Sequence, residues 1–172
     1  RTAYLTMPRY RLTVEYDGTP YVGWQRQPNG PSIQEAIETA GKALSGAAAP
    51  VYGAGRTDAG VHALGMTAHI NLSKDFPPRT VREALNAHLR PHPIAILDAE
   101  LVSDDFHARF SCRRRSYLYR VLNRRSAAGL YQNRVWLVGP TLNANAMADA
   151  AQSLIGKHDF TTFRSVQCQA TR

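Results

Sequence analysis

The sequence RYRLTVEY, residues 9–16, alternates polar with apolar or aromatic side chains and predicts a β-strand. A strand of this pattern turns one row of side chains, at positions 10, 12, 14 and 16, towards a single face. The next four residues, DGTP at 17–20, have the composition of a turn and end the strand. This segment therefore predicts the first strand of a sheet.

A helix is predicted after this turn. Ser32 is a good N-cap with Glu35 three residues later, the apolar spacing from Ile33 to Leu44 is helical, and Gly46 closes the segment. Further along, the patterns predict strands at 51–53, 66–72 and 94–102 and a second helix at 80–89. Alternating strands and helices over the first hundred residues predict an α+β domain, a sheet with helices on one face.

The second part of the chain predicts fewer elements. Residues 115–122 alternate as a strand, Asn143 caps a helix over 144–155 that Gly156 ends, and residues 158–172 begin a further strand. We therefore expect an N-terminal domain over residues 1–108 and the first part of a second α+β domain over residues 109–172.

Composition limits the classes of protein. Of the 172 residues 44% are hydrophobic, which is typical of a globular chain. No apolar run approaches the roughly 20 residues that span a bilayer, and the N-terminal residues lack the apolar core of a secretory signal. Cys112 and Cys168 have no metal-ligand spacing and are expected to be reduced thiols, so we expect a cytoplasmic protein without a membrane contact. The histidines form no metal-binding motif either, so no metal site is expected.

The basic residues are mostly arginine. Formal net charge is +8, and only three of the 21 basic residues are lysine. A GC-rich genome would also favour arginine, but the distribution favours a functional interpretation: residues 106–134 contain eight arginines and no acidic residue. Tyr117, Tyr119 and Tyr131 are interleaved with them. Guanidinium groups match phosphates and aromatic rings stack on bases, so this stretch predicts binding of RNA or single-stranded nucleic acid.

The segment GAGRTDAGVHALG, residues 53–65, places Asp58 on a glycine-rich loop directly after Arg56 and Thr57. Glycine allows close approach of backbone to a ligand. Asp58 has three interpretations: a turn or helix cap, a metal ligand, or a nucleophile or general base. Arg56 is expected to lower the pKa of Asp58 or to bind a phosphate.

Residues 16–38 contain other candidate ligand contacts. Arg26, flanked by Gln25 and Gln27, is suited to phosphate or base contacts. Trp24 is more simply a partly buried aromatic residue, and His62 a hydrogen-bonding structural residue.

Four colinear blocks resemble the TruA family of tRNA pseudouridine synthases. They are YDGTPYVGWQRQPN (16–29), GAGRTDAGVHALG (53–65), DFHARFSCRRRSYLYR (105–120) and GKHDFTTFR (156–164). The resemblance implies two ferredoxin-like (RRM-like) halves with largely antiparallel sheets, the second half incomplete in these residues. It also implies a homodimer that binds tRNA across both subunits and needs no metal and no small-molecule cofactor.

The resemblance also implies residue roles. Asp58 would attack the uridine, at C6 of the base or C1′ of the ribose, in the anticodon arm at tRNA positions 38, 39 and 40. Arg56 would occupy the space left by the flipped base, and Tyr117 would pack against the target base. The remaining candidate substrate-binding residues are Arg26, Gln25, Arg109, Arg113, Arg114 and His62.

One expected block is not present. Family members carry a later GFLYHMVR-like block whose terminal Arg or Lys pairs with the catalytic aspartate, and none occurs in these 172 residues. We therefore expect these residues alone to be poorly active. The alternative function is a non-catalytic tRNA-binding module or an inactive fragment of such an enzyme. A phosphate-loop nucleotidase or transferase is the least favoured function, because the sequence has no GxxxxGK[ST] pattern.

Overall fold

The computed structural model describes residues 7–163, which fall into two compact units. The boundary along the chain lies between Leu118 and Tyr119. The domain boundary predicted after residue 108 stays a prediction. The elements of the first unit are β1 (Arg9–Tyr16), α1 (Ile33–Ser45), β2 (Val51–Gly53), β3 (Ala63–Asn71), α2 (Pro78–His88) and β4 (Ile94–Val102).

These elements form a four-stranded sheet in the order β2-β3-β1-β4, and every neighbouring pair is antiparallel. A β-α-β-β-α-β chain with this strand order has the ferredoxin-like topology. The α+β class expected from the sequence is confirmed, and all six elements predicted in the first hundred residues form, with bounds shifted by no more than three residues.

The core lies between the sheet and its two helices. Tyr10, Leu12 and Val14 of β1 are fully buried, whereas the residues between them are not. The helices present buried apolar side chains to the same core, namely Ile33 and Ile37 from α1 and Val81 and Leu85 from α2. The alternation in β1 thus places both helices on one face and leaves the other, here called the open face, without a helix.

The ends of α1 follow the sequence signals. The Ser32 side chain accepts a hydrogen bond from the Glu35 amide at 3.2 Å. At the other end Gly46 has a φ of 78°, and its amide donates to the Lys42 carbonyl at 2.8 Å. A left-handed residue of this kind is the usual helix terminator, so both predicted caps are confirmed.

Over residues 119–163 the second unit has a short two-stranded sheet and one α-helix. Strand β5 (Val121–Asn123) pairs in parallel with β6 (Trp136–Val138), and α3 (Ala144–Gln152) follows. Asn143 caps α3 as predicted, accepting a hydrogen bond from the Ala146 amide at 3.0 Å.

Three predictions for this region need correction. The strand expected over residues 115–122 is wrong for 115–120, because within residues 7–163 that stretch enters no ladder, and only β5 does. The Arg120 carbonyl, directly before β5, accepts one bond from the Trp136 amide at 2.8 Å. Helix α3 ends at Gln152, before Gly156, because the next residues form i→i+3 bonds as a turn. The strand predicted over residues 158–172 does not form at 158–160, and residues 161–163 form a 3₁₀ turn. Residues 164–172 lie outside the described residues.

Within residues 7–163 no helix combines the length and the apolar character needed to cross a membrane.

The core position of Leu12 allows a direct test of the fold. Leu12→Ala should lower the free energy of unfolding by about 2–5 kcal/mol, because it removes a fully buried side chain and leaves a cavity. Leu97→Ala is the matched control at a 45% exposed position and should cost less than about 1 kcal/mol. Chemical denaturation measures both, and equal losses would contradict the assigned core.

Candidate active site

The loop that carries Asp58 leaves the sheet between β2 and β3. Ala54 begins it and is buried, with 6% of its surface exposed. Its amide donates to the Thr67 carbonyl of β3 at 2.8 Å, and its carbonyl accepts from an Nη of Arg115 at 2.5 Å. Both the amide and the carbonyl of Ala54 are therefore hydrogen-bonded, which fixes the start of the loop.

Thr57, directly before Asp58, is held by buried groups. Its carbonyl accepts a hydrogen bond from the Trp24 amide at 2.9 Å, and its hydroxyl lies 2.8 Å from the Tyr16 hydroxyl. Tyr16 and Trp24 are each only 3% exposed. Burial raises the pKa of Tyr16, and the smaller opposing effect is its bond to Thr57, so the phenol stays protonated at neutral pH.

Two glycines allow close packing around this loop. A Cβ at Gly53 would lie 2.6 Å from the Trp24 ring, and one at Gly18 would lie 2.0 Å from the Val61 carbonyl oxygen. Trp24 is therefore the buried structural residue that the sequence favoured. The loop closes with a hydrogen bond from the Val61 amide to the Asp58 carbonyl at 3.2 Å.

The Asp58 side chain projects into solvent. Its carboxylate forms no hydrogen bond or ion pair with any part of the chain from 7 to 163, and the same holds for the Arg56 guanidinium. An Arg56–Asp58 ion pair is thus not formed, and Asp58 does not cap a turn through its side chain. Among the described residues no three His, Cys, Asp or Glu side chains gather as a metal site. The local structure leaves the Asp58 carboxylate available to a substrate.

Arg26 and His62 both have partners within the fold. The Arg26 guanidinium lies 3.5 Å from Glu35 and 3.8 Å from Glu38 of α1, and Gln25 beside it is exposed. His62 Nδ1 lies 3.1 Å from both the Gly18 amide and an Asp17 carboxylate oxygen, so His62 ties the first turn to the end of the Asp58 loop. Exposed ion pairs contribute little stability, so Arg26 can exchange its carboxylates for a phosphate at low cost.

The arginine cluster lies against the open face of the sheet. Arg113 and Arg114 line a groove there. Arg109 does not line it, and its guanidinium lies 5.8 Å from the centre of the Phe110 ring. The other lining residues are Arg11, Thr67, Phe106, Ala108, Ser111 and Cys112. The structure therefore brings two of the predicted substrate-binding arginines, Arg113 and Arg114, to one surface.

An aromatic stack beside this groove was not predicted. The Tyr52 ring stacks on His69 with ring centres 5.0 Å apart, and His107 lies 4.8 Å from His69. The Ala108 amide donates to His69 Nδ1 at 3.1 Å, so the stack holds the segment that crosses the open face. Burial, reinforced by the charges of Arg9 and His107, lowers the pKa of His69 to about 4. The alternation of β3 in the sequence could have placed His69 on the open face with Thr67, although it does not indicate the partners of the ring.

Tyr117 and Arg115 lie close together in sequence, but Tyr117 is exposed whereas Arg115 bonds to another part of the fold. Tyr117 is 71% exposed, and its hydroxyl has no hydrogen-bond partner in the described part of the chain. Arg115, two residues earlier, reaches the Asp58 loop at Ala54. Arg115 was not among the predicted site residues, because no local pattern indicates a contact across 61 positions.

A carboxylate on a fixed loop beside an arginine-lined surface defines a candidate enzyme acting on nucleic acid. A family model described as tRNA pseudouridine synthase matches residues 12–111. The chain is 58% identical to "tRNA pseudouridine synthase A" of Parvibaculum lavamentivorans and 61% identical to the protein of that name from Rhodopseudomonas palustris BisA53. Each alignment covers 95% of this chain and 67% of the relative. The chain therefore belongs to the tRNA pseudouridine synthase family, a family of isomerases, and spans about two thirds of the length of these relatives.

The low pKa of His69 predicts an acid-sensitive fold. The unfolded imidazole binds a proton near pH 6.5 and the folded one near pH 4, so between these values the unfolded state binds more protons. The stability from neutral His69 is complete above about pH 6.5 and is lost as pH falls towards 4, by up to about 3 kcal/mol. His69→Gln should therefore lose less of its free energy of unfolding over this range than wild type.

Urea denaturation at several pH values between 7 and 4 measures this difference. His88→Gln replaces an exposed histidine of α2 and should keep the wild-type pH dependence. A His69→Gln variant that parallels wild type would contradict the prediction.

Proposed function

We propose that the protein converts uridine to pseudouridine in the anticodon arm of tRNA, at positions 38, 39 and 40, with Asp58 as the nucleophile. The observation that carries this proposal is the Asp58 carboxylate, exposed and without a partner in residues 7–163, directly after a residue whose carbonyl and hydroxyl are held by Trp24 and Tyr16. A nucleophile of this kind needs a fixed position more than it needs internal contacts.

The reaction is an isomerisation that balances without a cofactor. Asp58 adds to the nucleotide at C6 or at C1′, the bond between N1 and C1′ breaks, and the base turns. C5 then bonds to C1′, the bond to Asp58 breaks and returns its electron pair to the carboxylate, the C5 proton leaves, and a proton is taken up at N1. The target base has to leave the stack first, at a cost of a few kcal/mol. We assign Arg56, exposed two residues before Asp58, to the space left by the base, and the exposed Tyr117 ring to packing against it.

The proposed tRNA contacts lie around this loop. Arg113 and Arg114 in the groove would bind phosphates, as would Arg109, and Arg26 and Gln25 would bind near the loop that Trp24 joins to Thr57. His62 would contact the substrate from the end of the same loop. A homodimer and a cytoplasmic location complete the proposal and rest on the family resemblance.

Replacement of Asp58 is the first test. In the native protein, Asp58→Ala should abolish pseudouridine formation on a tRNA transcript and leave tRNA affinity within a few-fold, because the step loses its nucleophile and the fold loses no internal contact. Asp149→Asn, an exposed position in α3, is the control and should retain wild-type activity. If wild type and Asp58→Ala both bind tRNA and neither modifies it, the non-catalytic binding function is the correct one.

Salt dependence tests the arginine surface. Each arginine that neutralises a phosphate releases counterions, so Arg113→Ala should reduce the slope of log affinity against log salt by about one. Arg79→Ala removes an 82% exposed arginine from α2 and should leave the slope unchanged. Titrations of tRNA at several salt concentrations give the slopes. Equal slopes for wild type and Arg113→Ala would exclude Arg113 from the phosphate contacts.

A further inference from the structure

Arg115 connects two segments that are far apart in sequence. Its Nη donates to the carbonyl of Ala54, at the start of the Asp58 loop, and its Nε would lie 3.3 Å from a Cβ placed on Gly55. The guanidinium therefore touches two consecutive residues, directly before Arg56. Arg115 also stands two positions before Tyr117.

We propose that Arg115 is a positioning residue that holds the Asp58 loop and the segment of Tyr117 in register. This inference rests on the proposed function of Asp58 and adds to it a residue that need not touch the substrate. Arg115 would act through the backbone of Ala54 and Gly55.

Few contacts fix the loop that carries Asp58. Between β2 and Asp58 the backbone is held at Ala54, by Thr67 and Arg115, and at Thr57, by Trp24. The Asp58 side chain has no partner in the part of the chain described here, so its direction depends on these two anchors. Removing the Arg115 bond leaves Ala54 held through its amide alone and loosens the next residue, because Gly55 has no side chain to restrict its backbone.

The chemistry of arginine suits this role. A guanidinium is charged at any accessible pH and forms charge-assisted hydrogen bonds, which are stronger than neutral ones. Its planar fork can bond a carbonyl through Nη while Nε lies over a neighbouring glycine. A lysine retains the charge and one donor for the carbonyl but loses the flat contact with Gly55.

The test compares Arg115→Ala and Arg115→Lys in the native protein, with Arg79→Ala as the exposed-arginine control. Single-turnover rates at saturating tRNA and tRNA affinity are measured separately. Arg115→Ala should lower the saturated rate about 10- to 100-fold, the cost typical of a nucleophile displaced by about 1 Å, with affinity within a few-fold. Arg115→Lys should fall between Arg115→Ala and wild type, and Arg79→Ala should match wild type.

Hydrogen exchange gives a readout that does not depend on activity. Arg115→Ala should speed exchange of the amides of residues 54–61 while exchange in α1 stays at the wild-type rate. Arg115→Met removes the same donors while it keeps an unbranched side chain. It should speed loop exchange in the same direction, which keeps the test decisive if Arg115→Ala does not fold.

Two results would overturn the proposal. One is a loss of tRNA affinity with an unchanged saturated rate, which would make Arg115 a phosphate contact. The other is loop exchange at the wild-type rate in Arg115→Ala or, where that variant does not fold, in Arg115→Met. If wild type itself forms no pseudouridine, the proposed function fails, and hydrogen exchange still decides whether Arg115 holds the loop.

Discussion

The hydrogen bond from the Trp24 amide to the Thr57 carbonyl is the contact on which the site depends most. It joins the loop after β1 to the loop after β2, and both lie at the same end of the sheet. Trp24 is buried against Gly53, so the donor itself cannot move. Asp58 follows Thr57 directly, and its backbone position is therefore determined by the core.

The core in turn depends on the alternation of β1. Every second residue of this central strand is buried under α1 and α2, which leaves the open face to polar and charged groups. Arg11 and Thr67 lie on that face, and the segment carrying Arg113 and Arg114 crosses it. Because only one face of the sheet is buried, the face that packs against the helices stabilises the fold, and the open face is left for the proposed binding of RNA.

Local sequence patterns correctly predicted the features that depend on interactions between residues close together in sequence. The caps of α1 at Ser32 and Gly46 follow from side-chain chemistry and backbone conformation, and both form. Alternation alone failed at residues 115–120, because a strand needs a neighbour as well as a pattern. The Arg115–Ala54 bond and the Tyr52–His69 stack could not be predicted, since both join residues brought together only by the folded sheet. Asp58 was a candidate from its loop composition and from the family resemblance, but its lack of a partner among the described residues required the structure.

The central claim is that a fixed loop presents Asp58 to a flipped uridine. A structure of the native protein bound to its tRNA tests this most directly, through the distance from the Asp58 carboxylate to C6 and C1′ of the extruded nucleotide. We predict that one of these carbons lies within about 3.5 Å of a carboxylate oxygen, with the backbone of residues 54–58 unchanged. An extruded uridine far from Asp58, or a loop that rearranges to reach it, would contradict the account.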